Sequence, residues 1–244
     1  MILTIQNRSD FVDSFLSPIG KISERCVIRV DENNFTSLGA TGDGTLILYT
    51  KFKHKNNIEA PVKLNICDVN RLIKVLSYIE KDNIDLQVQD NCISYDDEDI
   101  QFKYFLLEDG VLSVPAVSVD KLKKLDYSCS FSLTNTALNN LNKLSLYAND
   151  SEKVYLYTKD GCVYGELNDK KRQNINCACI KVSDTFKGDS IEKPIPIKYD
   201  NLRTISASQG NSINTFVNTE LSVMLFQTSN ELSNSAYFVS GMVS

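Results

Sequence analysis

Hydrophobic and polar positions along this chain switch period four times, always in the same order. A short alternating run is followed by an Asp or Asn, then by apolar residues at three- and four-residue spacing, then by further alternating runs. The leading runs are Ile2–Ile5, Val62–Ile66, Cys129–Leu133 and Pro194–Ile197. Asp10, Asp68, Asn135 and Asp200 follow them. Each is expected to start a helix, because its side-chain oxygen can accept an unpaired N–H of the first turn. Turn residues between the later alternating runs predict hairpins at Val30–Phe35, Val88–Cys92, Thr158–Cys162 and Val217–Leu221. The predicted unit is β-α-β-β-β, repeated four times, in an α+β fold.

Each predicted helix has one apolar stripe. In the first, Phe11, Val12, Phe15, Leu16 and Ile19 share a face, and Pro18 is expected to end or bend the helix. In the second, Val69, Leu72, Ile73, Leu76 and Ile79 form the stripe, while Arg71, Lys74 and Lys81 lie opposite. In the third, Leu138, Leu141, Leu144 and Ala148 face one way; Asn139, Asn142 and Lys143 face the other, with Asn140 on the flank. The fourth, Asp200 to about Ser208, turns Leu202, Ile205 and Ser206 inward and Arg203 and Thr204 outward. The second helix therefore exposes a cationic stripe up to Glu80.

The stretch Glu108–Val119 carries Gly, Pro and Ser without a helical period and is rich in Val and Leu for a passive linker. It places a domain boundary, giving an N-terminal domain over 1–109, a connector over 110–127 and a C-terminal domain over 128–244, two repeats to each. A polar insertion, Asp184–Ser190, separates the third and fourth repeats.

The chain has 244 residues, with 26 Lys and Arg against 31 Asp and Glu, a formal net charge of −5. That excludes a polybasic nucleic-acid binder but permits one local basic surface. No apolar run approaches bilayer-spanning length, and the N-terminus lacks the architecture of a signal peptide, so a cytoplasmic protein is expected. Seven scattered cysteines, an odd number, read as small buried hydrophobes. Cys177 and Cys179 are too closely spaced for a zinc pair and lack a second pair. The single histidine, His54, lies in a charged segment and reads as a solvated loop residue. The run Asp96-Asp97-Glu98-Asp99 lacks EF-hand spacing and reads as a solvated turn. No nucleotide-binding or nucleophile motif is present. An enzyme is disfavoured, and no cofactor or metal is implied.

Four β-α-β-β-β units in two halves, joined by a Val- and Pro-bearing connector, resemble the DNA sliding clamps of the PCNA type. Length and sequence drift are most similar to the clamps of T4-type bacteriophages. The resemblance spans essentially the whole chain. It is carried by Asp68–Glu80 with its flanking strands, by Phe35–Leu48 and by Ala236–Ser240. It implies two similar clamp domains, helices on one face and antiparallel sheets on the other, closing head to tail into a homotrimeric ring around double-stranded DNA. The implied partners are a replicative polymerase, a clamp loader and, as for some phage clamps, the transcription machinery. If the protein is viral, its compartment is the host cytoplasm.

The resemblance assigns residues by position. Lys21, Arg71, Lys74, Asn140, Lys143, Lys198 and Arg203 would face DNA. Thr41, Leu46, Val111, Leu112, Val114, Pro115, Phe238, Val239 and Ser240 would form a pocket for partner peptides. For Val111–Val114, a loop tucked on the core is an equal alternative. The edge Ile100–Leu107, with Ile100, Phe102, Tyr104 and Leu106, would pair with Ile175–Lys181 of a neighbour, with Ile175, Cys177, Cys179 and Ile180. The cationic lining is thinner than the family suggests. An open monomeric or dimeric processivity factor of the same fold stays open as an alternative, as does an unrelated α+β binding module or enzyme.

Overall fold

The leading strand of every repeat leaves the meander it introduces and joins that of the neighbouring repeat. The structure, a computed structural model, describes residues 1–55, 58, 60–172, 174–206 and 212–242. The first repeat comprises β1 (Ile2–Ile5), α1 (Arg8–Asp10), a π-helical segment (Phe11–Leu16), α2 (Ser17–Gly20), β2 (Cys26–Val30), β3 (Asn34–Ala40) and β4 (Leu46–Lys53). The second comprises β5 (Val62–Ile66), α3 (Val69–Ser77), β6 (Ile84–Val88), β7 (Cys92–Asp96) and β8 (Gln101–Phe105). A short helix, α4 (Val119–Lys123), follows. The third repeat holds β9 (Cys129–Thr134), α5 (Asn135–Ser145), β10 (Lys153–Lys159), β11 (Cys162–Leu167) and β12 (Ala178–Ser183), trailed by β13 (Lys187–Gly188). The fourth holds β14 (Ile195–Lys198), α6 (Tyr199–Ser206), β15 (Ser212–Asn218), β16 (Val223–Ser229) and β17 (Ser233–Ser240).

The chain divides into two units. The first is Met1–Gly42, Leu48–Val117 and Ser229–Ser235; the second is Asp43–Ile47, Ser118–Thr228 and Ala236–Ser244. In the first unit the meander β6-β7-β8 takes β1, with Leu3 opposite Leu86 and Ile5 opposite Ile84. The meander β2-β3-β4 takes β5, with Ile28 opposite Leu64. In the second unit β14 pairs β10, Val154 opposite Ile197, and β9 pairs β15, Leu133 opposite Ile213. This exchange buries the apolar side of each leading strand against its partner repeat, so the two repeats of a unit share their cores.

In the first unit the core centres on aromatic rings. Phe11 lies 5.3 Å from Phe15, 4.9 Å from Phe35 and 5.3 Å from Phe52, centroid to centroid. Rings of this size each contribute about 1.5–3 kcal/mol through burial. In the second unit Leu138, Leu141, Val154, Leu156, Ile197, Leu202 and Ile205 are buried, and α5 packs on β11 and β12 and beside α6.

The helices differ from the sequence reading in four details. Asn7, not Asp10, caps the first helix; its Oδ1 accepts the Asp10 N–H at 2.9 Å. Pro18 does not end the helix: α2 continues through it to Gly20. A Ser17 N–H to Val12 carbonyl bond widens the preceding turn, which accommodates a residue that has no N–H and crowds the carbonyl before it. Thr134 replaces Asn135 as the cap of α5, its Oγ1 accepting the Ala137 N–H at 3.1 Å. Asp68 does cap α3, accepting the Arg71 N–H at 2.9 Å. The helix begun near Asp200 starts at Tyr199 and runs to Ser206; Ser208 lies outside the described residues. At Gly20, α2 approaches α3 so closely that an added Cβ would sit 2.8 Å from Asn70 Oδ1.

The Asp184–Ser190 insertion is not wholly irregular. Lys187 and Gly188 pair with Ser130 and Cys129 as β13, and Gly188, at φ +87°, lies against the Ser128 carbonyl where no side chain would fit. The connector likewise carries structure the pattern did not predict: Ser118 caps the turn of α4.

His54 is a further correction. It is 8% exposed, and its ring lies 4.3 Å from that of Phe35. Its backbone N–H donates to the Asn33 carbonyl at 2.9 Å. Alternation along β4 carries on past the strand's end and turns this polar residue inward. Burial holds the imidazole below its ordinary value of 6.5, so the folded state favours the neutral ring. The contribution is complete above pH 6.5, where the unfolded chain is also neutral, and declines as the pH falls and the unfolded chain takes up a proton. The urea midpoint should therefore drop between pH 7.5 and 5.5, and His54→Phe, which keeps a ring against Phe35, should reduce that drop.

The cysteines divide by position. Cys26, Cys92 and Cys129 are buried, Cys67 and Cys162 half-buried, but Cys177 and Cys179 are exposed. The alternation of β12 turns Ala178, Ile180 and Val182 toward the protein and leaves Cys179 and Lys181 outside. Among the described residues no His, Cys, Asp and Glu group of three or more is placed to hold a metal ion, and no helix is long and apolar enough to cross a membrane.

Candidate nucleic-acid interface and peptide groove

A residue of β8 holds the start of α3, and the turn between β7 and β8 holds the chain beyond its end. The Tyr104 hydroxyl accepts the Asp68 N–H at 2.8 Å and donates to the Asp68 carbonyl at 2.8 Å, satisfying backbone groups at the helix start. Beyond its C-terminus Lys81 pairs with Asp97 at 3.2 Å. Asp97 also accepts the Tyr95 hydroxyl at 2.7 Å and the Ile100 N–H at 2.8 Å. The Tyr95 hydrogen bond, followed by those from the backbone, holds this carboxyl far below its ordinary range. Asp97 is thus a turn-organising residue, and Lys81 is drawn away from the open helix face. Val69, Leu72 and Leu76 are buried, so Arg71 and Lys74 project on the exposed side. Lys21, just past α2, is exposed as well.

In the second unit Lys143 and Asn139 are exposed on α5 and Asn140 is half-buried. Asn142 is spoken for, because its Oδ1 accepts the Tyr199 hydroxyl at 2.7 Å. Arg203 is exposed on α6, and Lys198, just before that helix, is half-buried. Several of the assigned cations have carboxylate neighbours: Arg71 with Asp68 at 3.6 Å, Lys198 with Asp43 at 2.9 Å and Arg203 with Asp200 at 3.1 Å, while Lys21 feels the charge of Asp13. The hydrogen bond to Asp43 raises the Lys198 pKa. Exposed pairs of this kind are worth little and exchange readily for a phosphate, but they dilute the positive field. Among the described residues Lys74 and Lys143 have no carboxylate at ion-pair distance.

The connector residues gather at a groove in the first unit. Val111, Leu112, Ser113, Val114 and Pro115 line one side; Ser23, Arg25, Cys26 and Val27 before and in β2, with Leu38, Gly39 and Ala40 at the end of β3, line the rest. Its volume is about 220 Å³, room for one or two side chains. Of the residues assigned to the peptide pocket, Val111, Leu112, Val114 and Pro115 come together here. Thr41 is half-buried and does not line the groove. Leu46, Phe238 and Val239 are buried in the second unit, where Ser240 is exposed. The β2 and β3 residues were missed by sequence reasoning. Their signal was the pair Gly39-Ala40, which follows Leu38 and ends the strand with two small residues.

Both assigned pairing segments lie at sheet edges. β8 ends the order β1-β6-β7-β8, and β12 begins β12-β11-β10-β14. Along the first, Ile100, Phe102 and Leu106 are half-buried, while Tyr104 is 5% exposed and committed to Asp68. Phe105, which the sequence reading did not single out, is 61% exposed. Along the second, Ile180 is half-buried and Cys179 exposed; Ile175 and Cys177 precede the strand.

No protein-family model matches the chain, and no curated protein matches it. Solved structures match over its full length. Proliferating Cellular Nuclear Antigen from Entamoeba histolytica aligns with a TM-score of 0.77 at 10% identity, covering 99% of this chain and 98% of that one. PCNA of A. fulgidus, bound to the C-terminal region of FEN-1, aligns at 0.75 and 11% identity, covering 100% and 98%. A PCNA2–PCNA3 complex from Sulfolobus tokodaii contains a chain aligning at 0.74 and 8% identity, covering 99% of each. The fold is that of the PCNA-type sliding clamps.

Proposed function

We propose that this protein is a DNA sliding clamp: a homotrimeric ring that encircles duplex DNA and tethers a replicative polymerase. The observation that carries the proposal is the whole-length likeness to PCNA-type clamps at TM-scores of 0.74 to 0.77. The exposed helix faces and the two unpaired sheet edges add to it. A clamp must hold along the duplex and still slide. Tight phosphate contacts hold but do not slide, and each weakens with salt. Closure retains DNA topologically, so a thin cationic lining of Lys21, Arg71, Lys74, Asn140, Lys143, Lys198 and Arg203 suffices. An open factor would need charge to do the holding, and three of those cations are shared with carboxylates.

In this reading β8 of one copy pairs with β12 of the next, satisfying backbone groups that an exposed edge leaves open. A short apolar plug from a polymerase or clamp loader occupies the connector groove. The A. fulgidus structure, with a partner's C-terminal region bound to PCNA, supports that mode of attachment. No catalytic step is assigned to the chain. The likeness to T4-type phage clamps, the cytoplasmic setting and a further partner in transcription belong to the same proposal.

Retention on DNA of different topology tests it. Protein assembled on nicked circular duplex should survive a high-salt wash and should be shed once the circle is linearised. Equal retention on circular and linear DNA would overturn encirclement.

A further inference from the structure

The two faces of β2 differ in chemistry. Cys26, Ile28 and Val30 are buried on one. Alternation puts Val27 and Arg29 on the other. Val27 lines the connector groove together with Arg25, just before the strand, and Arg29 is exposed beyond it. On β5, Lys63 stands directly opposite Arg29 and so shares its face. In a chain of net charge −5, three cations therefore lead away from the groove. Nearby carboxylates answer only one of them. Asp109 pairs with Lys63 at 3.1 Å. Asp31, past the end of β2, accepts the Asn33 and Asn34 N–H groups, each at 2.8 Å. Glu24 and Glu32 are exposed and do not line the groove. Among the described residues Arg25 and Arg29 have no carboxylate at ion-pair distance.

We infer that the partner segment entering the connector groove is acidic: it carries carboxylates about four residues from its apolar plug, where Arg29 and Lys63 meet them, with Arg25 at the groove itself. The inference rests on the reading of the groove as a peptide site and adds the charge of its ligand. A groove of about 220 Å³ admits one or two side chains, too few to tell one apolar plug from another. Charge beside it supplies the selection, by attracting acid and rejecting base. The reach follows from strand geometry. At about 3.3 Å per residue, Arg29 lies about 13 Å along the strand direction from Arg25, the span of about four extended peptide residues. Each exposed ion pair is worth little alone. Three cations on one face act together, and over a Debye length of about 8–10 Å they also steer the approach. A nucleic-acid strand would meet the cations but leave the Val111, Val114 and Pro115 wall unfilled. An acidic peptide with an apolar plug uses both.

Arg29 suits the test because it lies outside the groove lining, and Arg29→Glu places opposite charges across the strands at Lys63, which the sheet tolerates. Lys63, by contrast, is held by Asp109. Fluorescent peptides with one aliphatic–aromatic plug, flanked on both sides at a four-residue distance by paired Glu, Ser or Lys, would be titrated into wild type, Arg29→Ala and Arg29→Glu at 50 and 500 mM NaCl. Melting temperature is the folding control. Wild type should bind the Glu peptide about tenfold more tightly than the Ser peptide at low salt, and the Lys peptide least. High salt should shrink these differences. Arg29→Glu should abolish the preference for Glu and bind the Ser peptide within about twofold of wild type, with Arg29→Ala between. If wild type binds the Glu and Ser peptides equally, recognition of acid is overturned and the groove reading stands. A preference for Glu that survives in Arg29→Glu overturns the assignment to this face. A tenfold loss of affinity for a short duplex in Arg29→Glu would give the cations to nucleic acid and likewise overturn it. If no plug peptide binds wild type, the groove reading itself fails.

Discussion

Reversing Arg71 and Lys74 to glutamate should abolish most DNA-dependent stimulation of synthesis while leaving the protein folded. Both side chains project from the exposed side of α3, and the helix does not depend on either for its packing. Its start is held by the Asp68 cap and the Tyr104 hydroxyl. Glu at position 71 lies near the helix N-terminus, where a negative charge is favourable, and this offsets its repulsion from Asp68. Glu at position 74 opposes the helix dipole weakly. The net change in stability should stay within about 1 kcal/mol. On DNA the effect is larger. Two cations per copy become anions, so a closed trimer would carry six reversed charges facing the phosphates. Each lost phosphate contact removes about 0.9 from the slope of log affinity against log salt. Duplex affinity at 50 mM salt should fall at least about tenfold and its salt dependence should flatten. Fluorescence anisotropy with a short duplex and primer extension with the cognate polymerase measure both. Unchanged stimulation would remove α3 from the DNA-facing surface.

The repeat was legible because each of its parts has a local physical signature. Alternation gave the strands, Asp68 gave the start of α3, and the stripe Val69–Leu72–Leu76 gave the buried face. The exchange of leading strands was not legible. Pairing β1 with β6 rather than β2 depends on contacts between residues some eighty positions apart, and no local pattern encodes them. His54 misled because its neighbours in sequence are charged, whereas its neighbours in space are Phe35 and the Asn33 backbone. Asn142 misled for the same reason: it has a polar position on the helix, but its amide oxygen is taken by Tyr199. On the candidate surfaces, the cations of α3 could be read from the helical period, but their partners could not. Half of the groove was legible in the connector's Val and Pro. The other half comes from β2 and β3 residues that look, in sequence, like ordinary strand.

That groove gives the second large effect. Val114→Glu should cost at least about tenfold in the capture of partner peptides, or about 1.4 kcal/mol. The groove holds about 220 Å³ between the connector and the Leu38–Ala40 strand end. A carboxylate in so small a space either stays hydrated and occupies the volume a plug would fill, or is desolvated by the plug at high cost. The fold should tolerate the change. Val114 is only half-buried and lies in a stretch without helix or strand, so no ladder or cap is lost and the melting temperature should hold. Val114→Ile is the matched control; it keeps the groove apolar and should retain binding. Arg25, also on the lining, gives the change a second consequence. Its cation on the same lining attracts a glutamate at position 114 and adds to the cost of admitting a plug, so raising the salt concentration should restore part of the lost capture. Titration of a fluorescent peptide carrying an aliphatic–aromatic plug, at 50 and 500 mM NaCl, reads both effects. Full binding by Val114→Glu at both concentrations would place the plug elsewhere and return the connector valines to the role of a loop packed on its own core.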